Sequence, residues 1–102
     1  MSAKEYLENT AAKLNGTEIG DVNTTLHFDF NGSTYSMHVA DGKAELQEGL
    51  VGEAECVIKA NEDDFVKIAT GDMNPMMAMM MGKLKISNPG AMMKYAKMLG
   101  LM

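Results

Sequence analysis

Two imidazoles, one thiol and a short acidic run are the residues of this 102-residue chain whose types could do catalytic chemistry. Alternation puts His27 and His38 on the polar face of successive strands, diagonal to one another, where they could begin a metal site. No third ligand accompanies them, so exposed strand positions are the expectation for both. Cys56 is the only cysteine, which leaves neither a disulfide framework nor a CxxC pair. With no base beside it, it reads as a small buried hydrophobe. Glu62-Asp63-Asp64 is the negative first turn of a helix before it is an acid/base group. Thioethers are abundant, with 12 methionines, and copper is a ligand they can hold. That chemistry belongs mainly to oxidising compartments and uses mixed His/Met patterns the chain lacks. The expectation is therefore no catalytic residue, no metal, no cofactor and no enzyme.

Charge is segregated along the chain. All 14 acidic residues lie in residues 1–72 with five lysines, a net −9, whereas residues 73–102 hold four lysines and no acid, a net +4. Ten of the 12 methionines fall in that second segment. Nucleic acid is an unsuitable partner, because the net charge is −5 and there is no arginine for bidentate contacts. The opening MSAKEYLENTAAK has no apolar h-region and reads as a helix, so no signal peptide is expected. Gly100-Leu101-Met102 does not match the peroxisomal tripeptide. The longest apolar run, Pro75 to Met81, is far short of the ~20 residues that span a bilayer. A lone cysteine fits a reducing cytoplasm.

The elements that must position these groups are legible. Ser2 and Glu5 have capping-box spacing, and Ala3, Leu7, Ala11 and Leu14 then recur on one face, so residues 2–15 read as an amphipathic helix. Residues 24–48 read as a β-meander. Leu26, Phe28 and Phe30 alternate with Thr25, His27 and Asp29, and Asn31-Gly32 and Asp41-Gly42 are two-residue hairpin signals. Those turns pair Phe28 with Tyr35, Leu26 with Met37, Met37 with Leu46 and Val39 with Ala44, which puts the apolar residues on one face. The other face, with His27, Ser36 and His38, is expected to be wet. A fourth strand near 53–60 carries Ala54, Cys56, Ile58 and Ala60 inward. Asn61 caps a helix over 62–70 that Gly71 ends. Asn74-Pro75 and Asn88-Pro89 are two copies of one helix-start device, Asn as cap and Pro at the first turn. Between them Lys83-Leu84-Lys85-Ile86-Ser87 alternates as a final strand. The fold class is α+β: one domain over 1–102, a five-stranded, mainly antiparallel sheet, helices on one face, and an apolar pocket between the layers.

The methionines are the unusual signal. Met76-Met77-Ala78-Met79-Met80-Met81 is apolar all round a helix, and one side of it would meet water in a domain this small. From Ala91 to Leu99 only Lys94 and Lys97 are polar. Something apolar must cover the surplus: a ligand, a membrane or another protein. Methionine is unbranched and polarizable, so it fits a site that adapts to ligand shape, whereas a rigid core favours Leu, Ile or Val. Plain core packing is the competing account of the same residues.

Residues 53–94 resemble the sterol carrier protein (non-specific lipid-transfer) domain family. The resemblance rests on the strand Glu53-Ala54-Glu55-Cys56-Val57-Ile58 and the helix start Glu62-Asp63-Asp64-Phe65. It extends through Thr70-Gly71-Asp72-Met73-Asn74-Pro75-Met76-Met77-Ala78 and closes on Gly82-Lys83-Leu84-Lys85-Ile86, with Met92, Met93 and Lys94 after it. Earlier residues match only in organisation. The resemblance implies an apolar tunnel between sheet and helices, and binding of fatty acids, acyl-CoAs, sterols or other lipids, alone or beside an enzyme. Ser87-Asn88-Pro89 departs from the Gly-containing turn of many members.

The function expected is non-catalytic binding and intracellular carriage of an apolar ligand. Phe65, Ile68, Met73, Met77, Met80, Met81, Met92, Ala96 and Leu99 are the candidate lining. Lys83, Lys85, Lys94 and Lys97 are candidate head-group contacts. The alternative is an interaction or scaffold module whose Met-rich face binds a partner protein or self-associates. Transient contact with an anionic membrane surface and service to a partner enzyme are further expectations.

Overall fold

The computed structural model describes residues 2–15, 23–91, 93 and 95. The chain opens with α1 (Ala3–Asn15), whose first turn is capped as its sequence predicts: the Glu5 amide donates to Ser2 Oγ at 3.1 Å. Its buried face is Ala3, Leu7, Ala11 and Leu14, joined by Thr10, whose hydroxyl is satisfied by the Tyr6 carbonyl at 2.8 Å.

The meander follows as β1 (Thr24–Asp29), β2 (Thr34–Ala40) and β3 (Lys43–Glu48). All four predicted cross-strand pairs are present: Phe28 with Tyr35, Leu26 with Met37, Met37 with Leu46 and Val39 with Ala44. The turns achieve this because Asn31 and Asp41 take φ of 58° and 54°, the left-handed region these residues tolerate and a two-residue hairpin demands. Next come β4 (Cys56–Ala60), α2 (Glu62–Ala69), α3 (Pro75–Met80) and β5 (Leu84–Ile86), and helical backbone resumes at 89–91. The strand order is β3-β2-β1-β4-β5, with β1 and β4 parallel and the other three pairings antiparallel. The fold is thus the expected α+β arrangement with helices on one face of a five-stranded sheet, here mixed through its single parallel pair.

The parallel pair corrects the expectation of a wet second face. To reach β4 beside β1, the chain leaving the edge strand β3 must cross back over β2 and β1, and residues 49–55 do so on the polar face. Ser36, fully buried, donates to the Gly49 carbonyl at 2.6 Å and accepts from the Val51 amide at 2.8 Å. His27 Nε2 lies 3.1 Å from the Val51 carbonyl and the residue is 8% exposed, not the exposed strand position predicted. His38 is half-buried, its Nδ1 3.1 Å from Thr25 Oγ1. Glu53, Ala54 and Glu55 belong to this crossover rather than to the strand, which therefore starts at Cys56.

The core lies between the sheet and α1 and α2. All three phenylalanines meet there: the Phe65 ring from α2 sits 4.9 Å from Phe30, 6.0 Å from Phe28 and 5.8 Å from Tyr6. Asn61 occupies the N-cap position of α2, but its side chain makes no cap bond and instead accepts from Asn31 Nδ2 in the β1–β2 turn.

Candidate functional site

The Met-rich segment forms the short helix its punctuation predicts. Asn74 Oδ1 accepts from the Met76 and Met77 amides at 2.8 and 3.4 Å, with Pro75 in the first turn where no amide is needed. The other end is closed by the Lys83 amide donating to the Ala78 carbonyl at 2.8 Å and Gly82 to Met79 at 3.2 Å, with Gly82 at φ 75°. Both ends of a two-turn helix are therefore pinned by their own neighbours.

Only Ala78 of α3 is buried. At 100° per residue Met77 and Met79 flank it, and Met76 and Met80 stand opposite. Exposure follows that wheel: 58% and 38% for the flanking pair, 71% and 87% for the opposite pair. Met73, in the turn before α3, is half-buried against the core, and α3 rests on β5.

The candidate lining divides accordingly. Phe65 and Ile68 point into the core between α2 and the sheet, and Met73 packs at its margin. Met77, Met80 and Met81 lie on the surface, as do Lys83 and Lys85. Lys85 sits in register with Lys59, alternating with the core-facing Leu84, so it stands on the face away from the helices. Met92, Ala96, Leu99, Lys94 and Lys97 lie outside the described residues.

Among the described residues, two depressions lie elsewhere. One, of about 420 Å³, runs between α1 and β3 past Glu8, Ala11, Asn15, Tyr35 and Leu46, and its rim carries the exposed Lys4–Glu48 ion pair at 3.3 Å. The hydrogen bond and charge of Glu48 raise the Lys4 pKa. The second, of about 490 Å³, lies over the ends of β1 and β2, against Thr25, His38, Val39, Glu53 and Glu55. Neither holds a residue of the candidate lining.

Sequence reasoning missed a tie beside this second depression. Glu55 Oε1 accepts from Thr24 Oγ1 at 2.7 Å and from the buried Tyr95 hydroxyl at 3.0 Å. The start of the helix at 89 is held at the same place: Asn88 Oδ1 accepts from the Ala91 amide at 3.2 Å while its Nδ2 donates to the Glu55 carbonyl at 3.3 Å. Glu55 and Tyr95 are 40 residues apart, and no local pattern announces the pair. Met76 and Met93, at 71% and 75% exposure, also stood outside the candidate set; for Met76 a helix apolar on every side offers no pattern to mark its outward face.

Burial raises the Cys56 thiol pKa, which keeps the thiol protonated, and its sulfur faces the Asn88 carbonyl at 3.7 Å. Among the described residues no three of His, Cys, Asp and Glu gather as a metal site. No helix among them is long and apolar enough to cross a membrane.

The family model described as the SCP-2 sterol transfer family matches residues 2–100. Sterol carrier protein 2 of Arabidopsis thaliana is 33% identical over 87 residues, which is 81% of this chain and 71% of the relative. The chain spans only 12% to 16% of the animal relatives it matches. Among solved structures, the sec-alkyl sulfatase PisA1 of Pseudomonas sp. has a TM-score of 0.80 at 18% identity, over 100% of this chain and 16% of that one. Palmitated SCP2L2 from Aedes aegypti has a TM-score of 0.71 at 15% identity, over 97% and 95%. At these identities the two structures show a shared fold and no more.

Proposed function

The chain belongs to the SCP-2 sterol transfer family, whose domains bind and transfer lipids, and from that premise we propose non-catalytic carriage of an apolar ligand of the fatty acid, acyl-CoA or related lipid class. The observation that carries this reading is the exposure of the methionines of α3 on a helix whose ends are both capped. A capped helix with apolar flanks and a single small residue inward is a surface that closes over an apolar guest, and flexible thioethers adapt to its shape. Met73 and Met77 are the side chains proposed to meet the ligand, where α3 rests on β5. The palmitated mosquito protein of the same fold supports an acyl chain as the class. Occurrence of the fold as 16% of a sulfatase chain supports service beside an enzyme. A single buried thiol suits a reducing cytoplasm.

Native mass spectrometry of the purified protein, followed by organic extraction, tests the reading. A stoichiometric lipid is the expected result. Met77→Gln should weaken binding of a fluorescent acyl probe about tenfold, the effect of placing one amide against an alkyl chain. A clean apo protein that also ignores the probe would overturn ligand carriage. The exposed methionines would then serve a partner protein or a second copy, which sedimentation at low micromolar concentration detects.

A further inference from the structure

We propose that the outer edge of β3 is a strand-pairing surface for a second copy of this chain, held closed by the side chain of Asn15. The inference stands apart from ligand carriage, because β3 and β5 are opposite edges of the sheet and α3 rests on β5. An edge strand carries a row of backbone groups able to template another strand. Which residues form that row follows from the turn. Asp41-Gly42 is a two-residue loop, so its closing pair, Ala40 and Lys43, exchanges bonds within the hairpin and Ala44 points away from β2. Alternation adds Leu46 and Glu48 to the row. At the far end the Gly49 amide donates to the Thr34 carbonyl at 2.8 Å, in keeping with an outward Glu48. Asn15, at the end of α1, occupies one position of this row. Its Nδ2 donates to the Ala44 carbonyl at 2.9 Å and its Oδ1 accepts from the Ala44 amide at 2.8 Å. The carboxamide thus stands where the peptide group of a neighbouring strand would.

Self-complementarity selects a second copy over a foreign strand. With a two-fold axis through Leu46, two β3 strands pair antiparallel: Leu46 meets Leu46, and Ala44 of each copy meets Glu48 of the other. All these residues face outward, so all three pairs are hydrogen-bonded ones. Leu46 packs against the core, so its pairing extends the apolar face of the sheet. Glu45 falls opposite Gln47 and Lys43 opposite Gly49, so no charge directly opposes its like. The depression of about 420 Å³ between α1 and β3, lined by Ala11, Tyr35 and Leu46, leaves room for the second leucine. Symmetry doubles the effect of the stop. Each Asn15 holds its own Ala44 and removes the pair that residue would make with Glu48 of the other copy. Two of the three pairs are lost to the two side chains. The opposite edge needs no such stop, since β5 is three residues long with Lys85 at its centre.

Sedimentation equilibrium of the full chain at roughly 50 μM tests the surface. The unsubstituted protein should be a monomer. Asn15→Ala frees both Ala44 groups in each copy and should strengthen dimerisation at least about a hundredfold, the effect of two restored pairs. Hydrogen exchange identifies the contact. The Leu46 and Glu48 amides should slow as the variant is concentrated, and the Ala44 amide, fast in the dilute variant, should slow with them. Adding Glu48→Pro removes an outward amide and leaves the bonds to β2 in place, so the double variant should return to a monomer. Circular dichroism and melting of each variant report folding separately. Asn15→Asp, which keeps the acceptor for the Ala44 amide and lacks the donor, replaces the Ala variant if that one does not fold, and should dimerise more weakly. A variant at Asn15 that folds and stays monomeric overturns the proposal. A dimer already formed by the unsubstituted chain also overturns it, since Asn15 would then stop nothing. An assembly that Glu48→Pro leaves intact, or that leaves the Leu46 amide unprotected, forms through another surface and overturns it as well.

Discussion

Replacing Phe65 with Ala tests whether this ring is a wall of a ligand cavity or the keystone of the core. The residue is 1% exposed and its ring contacts those of Phe30, Phe28 and Tyr6 at 4.9, 6.0 and 5.8 Å. Truncation of a buried Phe costs about 3–5 kcal/mol. Each aromatic pair adds about 0.5–1.5 kcal/mol beyond its burial, so the loss should fall in the upper half of that range, at about 4 kcal/mol. With m near 1.3 kcal/mol/M for a chain of this length, the urea midpoint should drop by about 3 M. Against a total stability of roughly 5–15 kcal/mol this leaves about 1–11 kcal/mol, marginal at the low end of that range. Phe65→Leu, which keeps most of the volume, should lose only about 1.5 kcal/mol. Equilibrium urea unfolding followed by far-UV circular dichroism measures both. A loss below about 1.5 kcal/mol for the Ala variant, with increased uptake of an acyl probe, would refute the reasoning and put Phe65 on an open cavity.

Ser36→Ala strands the Gly49 carbonyl and the Val51 amide beneath the crossover and should cost about 2–4 kcal/mol in the same urea titration. Asn15 pairs both backbone groups of Ala44 on the edge strand, at 2.9 and 2.8 Å, so Asn15→Ala should cost about 1–2 kcal/mol and speed hydrogen exchange of the Ala44 amide selectively. Cys56 should react with a thiol reagent at pH 8 far more slowly in the folded than in the urea-unfolded protein. Its raised pKa also sets a sign. As pH climbs through the ordinary thiol range near ~8.5 the unfolded chain releases a proton that the folded one keeps, so stability falls with rising pH. Cys56→Ala should remove that part of the slope, and an unchanged slope would assign it to other groups.

Everything that depends on a few neighbouring residues could be read before the fold was known. Ser2 caps α1, Asn74 and Pro75 open α3, and Asn31 and Asp41 set turns whose registers followed by counting outward. These features are local because a cap or a two-residue turn is decided by hydrogen bonds and steric limits within one or two turns of chain. Long-range pairing decided the rest. The parallel β1–β4 contact required a crossover, and the crossover buried Ser36 and His27 on a face whose alternation reads as solvated. Asn61 illustrates the limit within one residue: its cap position was legible, but the approach of the Asn31 turn, 30 residues away, took its side chain. The methionine run announced an apolar helix with a surplus face, and nothing in its composition told which face. Only the seating of Ala78 beside β5 did, since a helix apolar on every side has no pattern to orient it and turns by what it packs against.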